Sequence, residues 1–288
     1  MRHLLRVTTF WALLTFILSS CREVTESAEE LGEELGERYL VEKGDEELPV
    51  GWTSVTHLKM EGKNLPTEVK IGARRLEGVA NTERTFQMVL QILGKDKSRV
   101  TIQKEEEVYE VRVGALSKLP VRTTGVLVGR HIIQEKKDGV LSLRFESGDP
   151  PTARQSEVLE ERRASLQEIT VTSGDTYRRI GEKWEEESAL FGKGVIQYRF
   201  DRVEIYQGQQ CAVFVGTIEI LEKGPDGSQT KITGSVRDFR SLVVYHSLYQ
   251  EVIGSLEMTS YPEVGKTVTM RGPVKMTSTV VVTVPEFH

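Results

Sequence analysis

Two thiols, four histidines after His3 and two runs of glutamate are the groups in this 288-residue sequence whose chemistry could be more than structural. Cys21 follows Ser19 and Ser20, small neighbours that leave a thiol nucleophile open to approach. Cys211 lies in the apolar stretch 210–221 and reads as a buried, inert thiol. The triplets Glu105-Glu106-Glu107 and Glu185-Glu186-Glu187 carry enough charge for a weak cation site, although solvated strand ends use the same pattern. His57 and Glu61 share a predicted strand, where four residues at roughly 3.3 Å each hold them about 13 Å apart, too far to ligate one metal. The sequence has no G-x-S-x-G, no G-x-x-x-x-G-K-[ST], no H-E-x-x-H and no C-x-x-C. These residues predict no catalytic group, no metal and no cofactor, and the expectation is a protein that is not an enzyme.

The context of Cys21 is more specific. Arg2 and Arg6 precede an apolar run from Val7 to Leu18, whose twelve residues span about 18 Å as a helix, short of the roughly 30 Å hydrocarbon core of a bilayer. That is the layout of a signal peptide over residues 1–20 rather than of a permanent span. The ending Leu18-Ser19-Ser20-Cys21 resembles the lipobox of bacterial lipoproteins. The resemblance implies diacylglyceryl transfer to the Cys21 sulfur, removal of the preceding peptide and a cysteine N-terminus held in a membrane. Arg22 stands where an inner-membrane retention signal would place Asp, which implies the outer membrane in a diderm cell. An ordinary cleaved signal peptide with a chance cysteine is the alternative.

Charge sharpens the division. The formal net charge is −5, yet residues 21–50 alone hold eleven carboxylates against three basic groups, so the chain beyond residue 50 is close to neutral. No basic cluster suited to nucleic acid is present. The repeated Glu-Glu-Leu-Gly at 29–36 places Leu31, Leu35 and Tyr39 on one thin helical stripe, interrupted by Gly32 and Gly36. Residues 21–50 therefore read as a lipidated N-terminus and solvated, partly helical tether, with a docking helix as the alternative.

Beyond Trp52 the elements that must position any site are strands. Phe86, Met88, Leu90 and Ile92 alternate with polar or smaller residues, and Gly94–Ser98 turns the chain into a second alternating run at Val100 and Ile102. Further hairpins are predicted at 124–147, folded at Lys136–Gly139, and at 195–221, folded at Gln207–Gln209. The apolar phase changes between Phe200 and Val203, which predicts a bulge at Asp201-Arg202. Val274, Met276, Val280, Val282 and Val284 share a face of the last strand. One helix is expected near 154–167, with Val158, Leu159 and Leu166 inward and glutamates preceding arginines on the exposed side, after a strand stop at Gly148–Pro151. It separates portions 51–150 and 168–288, between which Val126–Gly129 faintly echoes Val213–Gly216. Trp52 and Trp184 read as core aromatics or as plugs at sheet ends.

The predicted fold is thus mainly β, with curved antiparallel sheets or a half-barrel and one short helix. Together with the lipobox, this plan is similar to the half-barrel lipoprotein-carrier and lipid-binding lipoprotein families. That similarity implies a curved sheet around an apolar cavity. The functional expectation is a cell-envelope protein anchored through Cys21, on the outer membrane or surface in a diderm cell. Its partners would be the membrane and an apolar ligand or envelope protein. Phe86, Met88, Leu90, Ile92, Tyr198 and Phe200 would line the concavity or simply form the core. The alternative is an assembly lipoprotein that positions a β-domain for another envelope protein.

Overall fold

The computed structural model describes residues 37–42, 48–113, 116–117, 120–137, 140–167, 175–188, 194–223 and 227–283. Cys21, the leader, Leu31, Leu35, Val284 and His288 lie outside the described residues. In chain order the elements are β1 (Arg38–Glu42), β2 (Thr53–Ile71), β3 (Arg74–Gly94), β4 (Lys97–Val113), β5 (Leu116–Ser117), β6 (Val121–Thr124), β7 (His131–Lys137) and β8 (Val140–Phe145). They continue with α1 (Ala153–Gln167), β9 (Thr176–Arg179), β10 (Lys183–Ser188), β11 (Gly194–Tyr206), β12 (Gln209–Lys223), β13 (Gln229–Ser241), β14 (Ser247–Glu263) and β15 (Lys266–Thr283).

The fold is mainly β, as the alternation predicts. Thirteen strands form one sheet in the order β10-β11-β12-β13-β14-β15-β2-β3-β4-β7-β8, with β5 and β6 also on β4, and all its pairings are antiparallel. The sheet is two meanders, β2 to β8 and β10 to β15, joined where β15 pairs with β2. Among the described residues its ends, β10 and β8, are not paired with each other, so the sheet does not close into a barrel. β1 and β9 form a separate two-stranded antiparallel ribbon.

Local chemistry sets these elements. The predicted hairpins form: β3–β4 turns at Asp96, and β11–β12 at Gln207 and Gly208, all with positive φ. β7 and β8 pair on either side of 138–139. The register shifts between Phe200 and Arg202, at the predicted bulge. On β15, Val274, Met276 and Val280 are buried. The helix begins in a capping box. The Gln155 amide donates to the Thr152 hydroxyl at 3.2 Å, and the Thr152 amide donates to the Gln155 side chain at 3.0 Å. Val158 and Leu159 are buried as expected, and so is Arg162, which lies 3.5 Å from Glu105 on β4. Spacing assigned the arginines of this helix to its exposed side. Arg162 departs from that because its position faces the sheet, where an inward carboxylate meets it.

Two other expectations change. Tyr39 does not continue a helical stripe, because residues 38–42 are the strand β1 and belong to the folded body. The tyrosine ring meets Phe200 edge-on with centroids 5.6 Å apart. The echo between 126–129 and 213–216 joins a turn to a strand, since the first segment is a turn and the second lies within β12.

Across the middle of the sheet runs a crease. Facing inward on one row are Ile196, Ile218, Gly234, Gly254, Val274, Gly62 and Thr82, each paired with the next. Gly234 and Gly254 are register partners whose backbones approach too closely for side chains. A Cβ on Gly254 would lie 2.2 Å from the Thr233 carbonyl oxygen, and one on Gly234 would lie 2.4 Å from that of Ile253. At the same level both seam strands lose register, β2 between Gly62 and Leu65 and β15 between Met270 and Val274. Bulges and close-packed glycines together bend long strands. The crease divides the inner face into a base half, toward Trp52 and Phe200, and a tip half, toward the β2–β3 and β14–β15 turns.

Candidate functional site

Phe86, Met88, Leu90 and Ile92 lie on the inner face of β3, and Tyr198 and Phe200 on that of β11. The structure brings all six into one hydrophobic cluster in the base half, where all but the half-buried Ile92 are buried. Alternation placed the residues on the right face. It carried no signal for what covers that face. Tyr39 and Val41 of β1 join the same cluster, as do Val158 and Leu159 of α1. Phe214 is at its centre, with its ring 5.2 Å from Phe200, 4.9 Å from Trp184 and 6.0 Å from Tyr198. The Gln250 amide donates to the Tyr198 hydroxyl at 2.9 Å. Trp52 is 2% exposed and packs edge-on against His246. Both tryptophans are therefore part of the core, and the base half of the inner face is closed by its own chain.

β1 is held there by ions as well as rings. Arg240 on β13 pairs with Glu42 on β1, with Asp238 at 3.1 Å and with Glu186 at 3.7 Å, and its guanidinium lies 5.1 Å above the Phe214 ring. Ser247 donates to the other Asp238 oxygen at 2.5 Å. Arg178 on β9 lies 4.7 Å above the Trp184 ring. A small niche remains between Val41, Glu42, Thr176, Arg178, Trp184 and Arg240. Of its carboxylates Glu42 and Glu186 meet Arg240 and Glu185 accepts from the Gln197 amide at 2.9 Å, so its chemistry is that of a clasp fastening β1 and β9 onto the sheet.

The other groups with chemical capacity are dispersed. Glu105 meets Arg162, and Glu107 meets Arg84 at 3.0 Å, so that triplet is engaged in ion pairs on β4. His57 is exposed on β2, and His131 Nδ1 lies 2.8 Å from the Thr101 hydroxyl. Among the described residues no three histidine, cysteine or acidic side chains converge as metal ligands would. Cys211 is fully buried on the opposite sheet face with Val213, Phe239 and Leu248, and burial pushes its thiol up to about 11. A thiol held protonated in this way is a poor nucleophile.

The tip half differs. Along its inner face Leu65 and Leu256 are buried next to the crease, and Thr67, Met270 and Val113 are buried further out. Beyond them Val69, Leu76 and Val268 are half-buried, and Ile71 at the turn is 41% exposed. These residues sit side by side on β3, β2 and β15, since Leu76 pairs with Val69 and Val69 with Val268. Tyr109 on β4 reaches over the small β3 residues, and its hydroxyl lies 3.3 Å from the Met270 sulfur on β15. Burial, with Glu107 nearby, pushes that phenol up to about 12, so it stays neutral and donating. The result is an apolar shelf that runs from the closed core out to solvent. Sequence reasoning did not select it. Its residues alternate as the core strands do, and the crease that separates it is made of glycines and bulges without apolar pattern of their own.

The molecule is thus an open, creased antiparallel sheet whose inner face is closed in its base half and opens to solvent at the outer end of its tip half. No family model matches the sequence, and no curated protein matches it. Among solved structures, lipovitellin, from work on lipid–protein interactions in that protein, aligns with a TM-score of 0.39 and 9% identity. The alignment covers 84% of this chain and 26% of the lipovitellin chain. A likeness at that level establishes neither a shared fold nor a shared ligand.

Proposed function

We propose that this protein is a lipid-anchored component of the cell envelope that works by binding rather than catalysis. It takes an apolar ligand on the tip half of its inner sheet face. The observation that carries the reading is the continuous apolar shelf from Leu65 and Met270 through Val69, Val268 and Leu76 to Ile71, open at its outer end. Apolar side chains ranked in this way on a concave face give an acyl chain or similar group a surface to leave water against. The six base residues support the shelf by filling the core behind it. The Leu18–Cys21 sequence supports attachment to a membrane, and its basis is the sequence alone.

Photocrosslinking tests this. The full chain, extracted from membranes and exposed to a diazirine fatty acid, is expected to carry adducts on peptides from 65–78 and 256–270. Adducts confined to other peptides, or none above an unlabelled-competitor background, would overturn the reading. The assembly alternative draws on a different feature, the outer edge of β8, which pairs with no further strand among the described residues, where Val140 is 61% exposed and a partner strand could add.

A further inference from the structure

We propose that the outer end of the sheet is a membrane-contacting tip that enters the headgroup–acyl boundary of a lipid bilayer. This does not depend on the ligand reading. The β2–β3 and β14–β15 turns are locked side by side, the Gly72 amide donating to the Gly265 carbonyl at 3.0 Å. The paired turns therefore form one apex. At its summit Val264 is fully exposed, at 106%, and Ile71 and Tyr261 flank it at 41% and 47%. Large apolar side chains at the summit of a turn are costly to leave in water, and they occur here on both adjacent turns.

The choice of a bilayer over a protein partner follows from shape and charge. The apex is convex and presents few residues, far less than the roughly 800 Å² a side that a stable protein interface buries. Shallow insertion into a bilayer needs no larger area. Lys70, Arg74 and Arg75 surround the apex and are exposed. Glu68 pairs with Lys70 at 3.2 Å and with Arg75 at 2.7 Å, and Glu77 pairs with Arg75 at 3.2 Å, so the three bases outnumber these two carboxylates by one positive charge. Long basic side chains can lay their stems along inserted apolar groups while their charges reach phosphate, and a tyrosine ring suits the same depth.

The test uses the full chain with a polarity-sensitive NBD label at V264C, and separately at Q207C on the opposite end of the sheet. Cys211 is buried and stays unlabelled, and Cys21 is replaced by Ser in both labelled chains. With vesicles of phosphatidylcholine and phosphatidylglycerol, the label at 264 is expected to shift to the blue and to be quenched by spin-labelled lipid. The label at 207 is expected to do neither, which separates tip entry from any attachment through the N-terminus. Ile71→Asp in the 264-labelled chain is expected to reduce the shift while its circular dichroism spectrum stays that of the parent. Equal responses at 264 and 207, or a 264 response untouched by Ile71→Asp in a folded chain, would overturn the proposal.

Discussion

The two halves of the inner face are made from the same strands and the same alternation, yet one is closed and the other open. In the base half, β1, β9 and α1 lie over the sheet and aromatic rings fill the space beneath them. In the tip half burial fades outward, from Leu65 at 0% through Thr67 at 4% to Ile71 at 41%, over three two-residue steps of β2. The difference lies in what covers each half of one continuous pattern. An apolar face becomes a core where another element covers it, and remains a surface for other molecules where none does.

This contrast can be broken by substitution. Phe214→Ala removes the ring at the centre of the base cluster and is expected to cost about 3–5 kcal/mol, read as a lowered denaturant midpoint. Gly254→Val forces atoms against the Thr233 carbonyl and is expected to cost roughly 1–3 kcal/mol, because the strands must straighten or separate at the crease. It should also raise amide hydrogen exchange in β13 and β14 on both sides of residue 254. Leu76→Ala on the half-buried shelf is expected to cost only about 1 kcal/mol while lowering fatty-acid crosslinking. If Leu76→Ala costs as much as Phe214→Ala, the shelf is part of the closed core and the two halves do not differ.

The alternation made the strands legible. Phe86 to Ile92, the Asp201-Arg202 bulge and the buried face of β15 could all be read from spacing, because a half-buried strand must repeat every two residues. The helix was legible through the spacing of Val158, Leu159 and Leu166 and the strand stop at Gly148–Pro151 before it, and its capping box at Thr152 and Gln155 was available to the same reading. The pairing of β15 with β2 was not, since partners separated by most of the chain leave no local mark. β1 was hidden for a different reason. Its five residues follow an acidic stretch whose composition indicates a solvated tether, while Tyr39 and Val41 pack by tertiary contact alone. The candidate site was legible only as a face. Its division into closed and open halves depended on Gly234 and Gly254, which appear in sequence as weak points in strands.

The seam has a consequence for how the molecule comes into being. β15 is the last strand in the order, yet it occupies an interior place between β14 and β2. As the chain emerges, the meander β2 to β8 is available early with the full length of β2 as an open edge, and the second meander ends in an open β14 until β15 arrives. Long unpaired edges recruit other chains. Assembly therefore passes through a stage at which two incomplete sheets await a single closing strand, and loss of that strand would leave both with exposed edges. Those edges stay open until β15 is made and pairs with both β14 and β2.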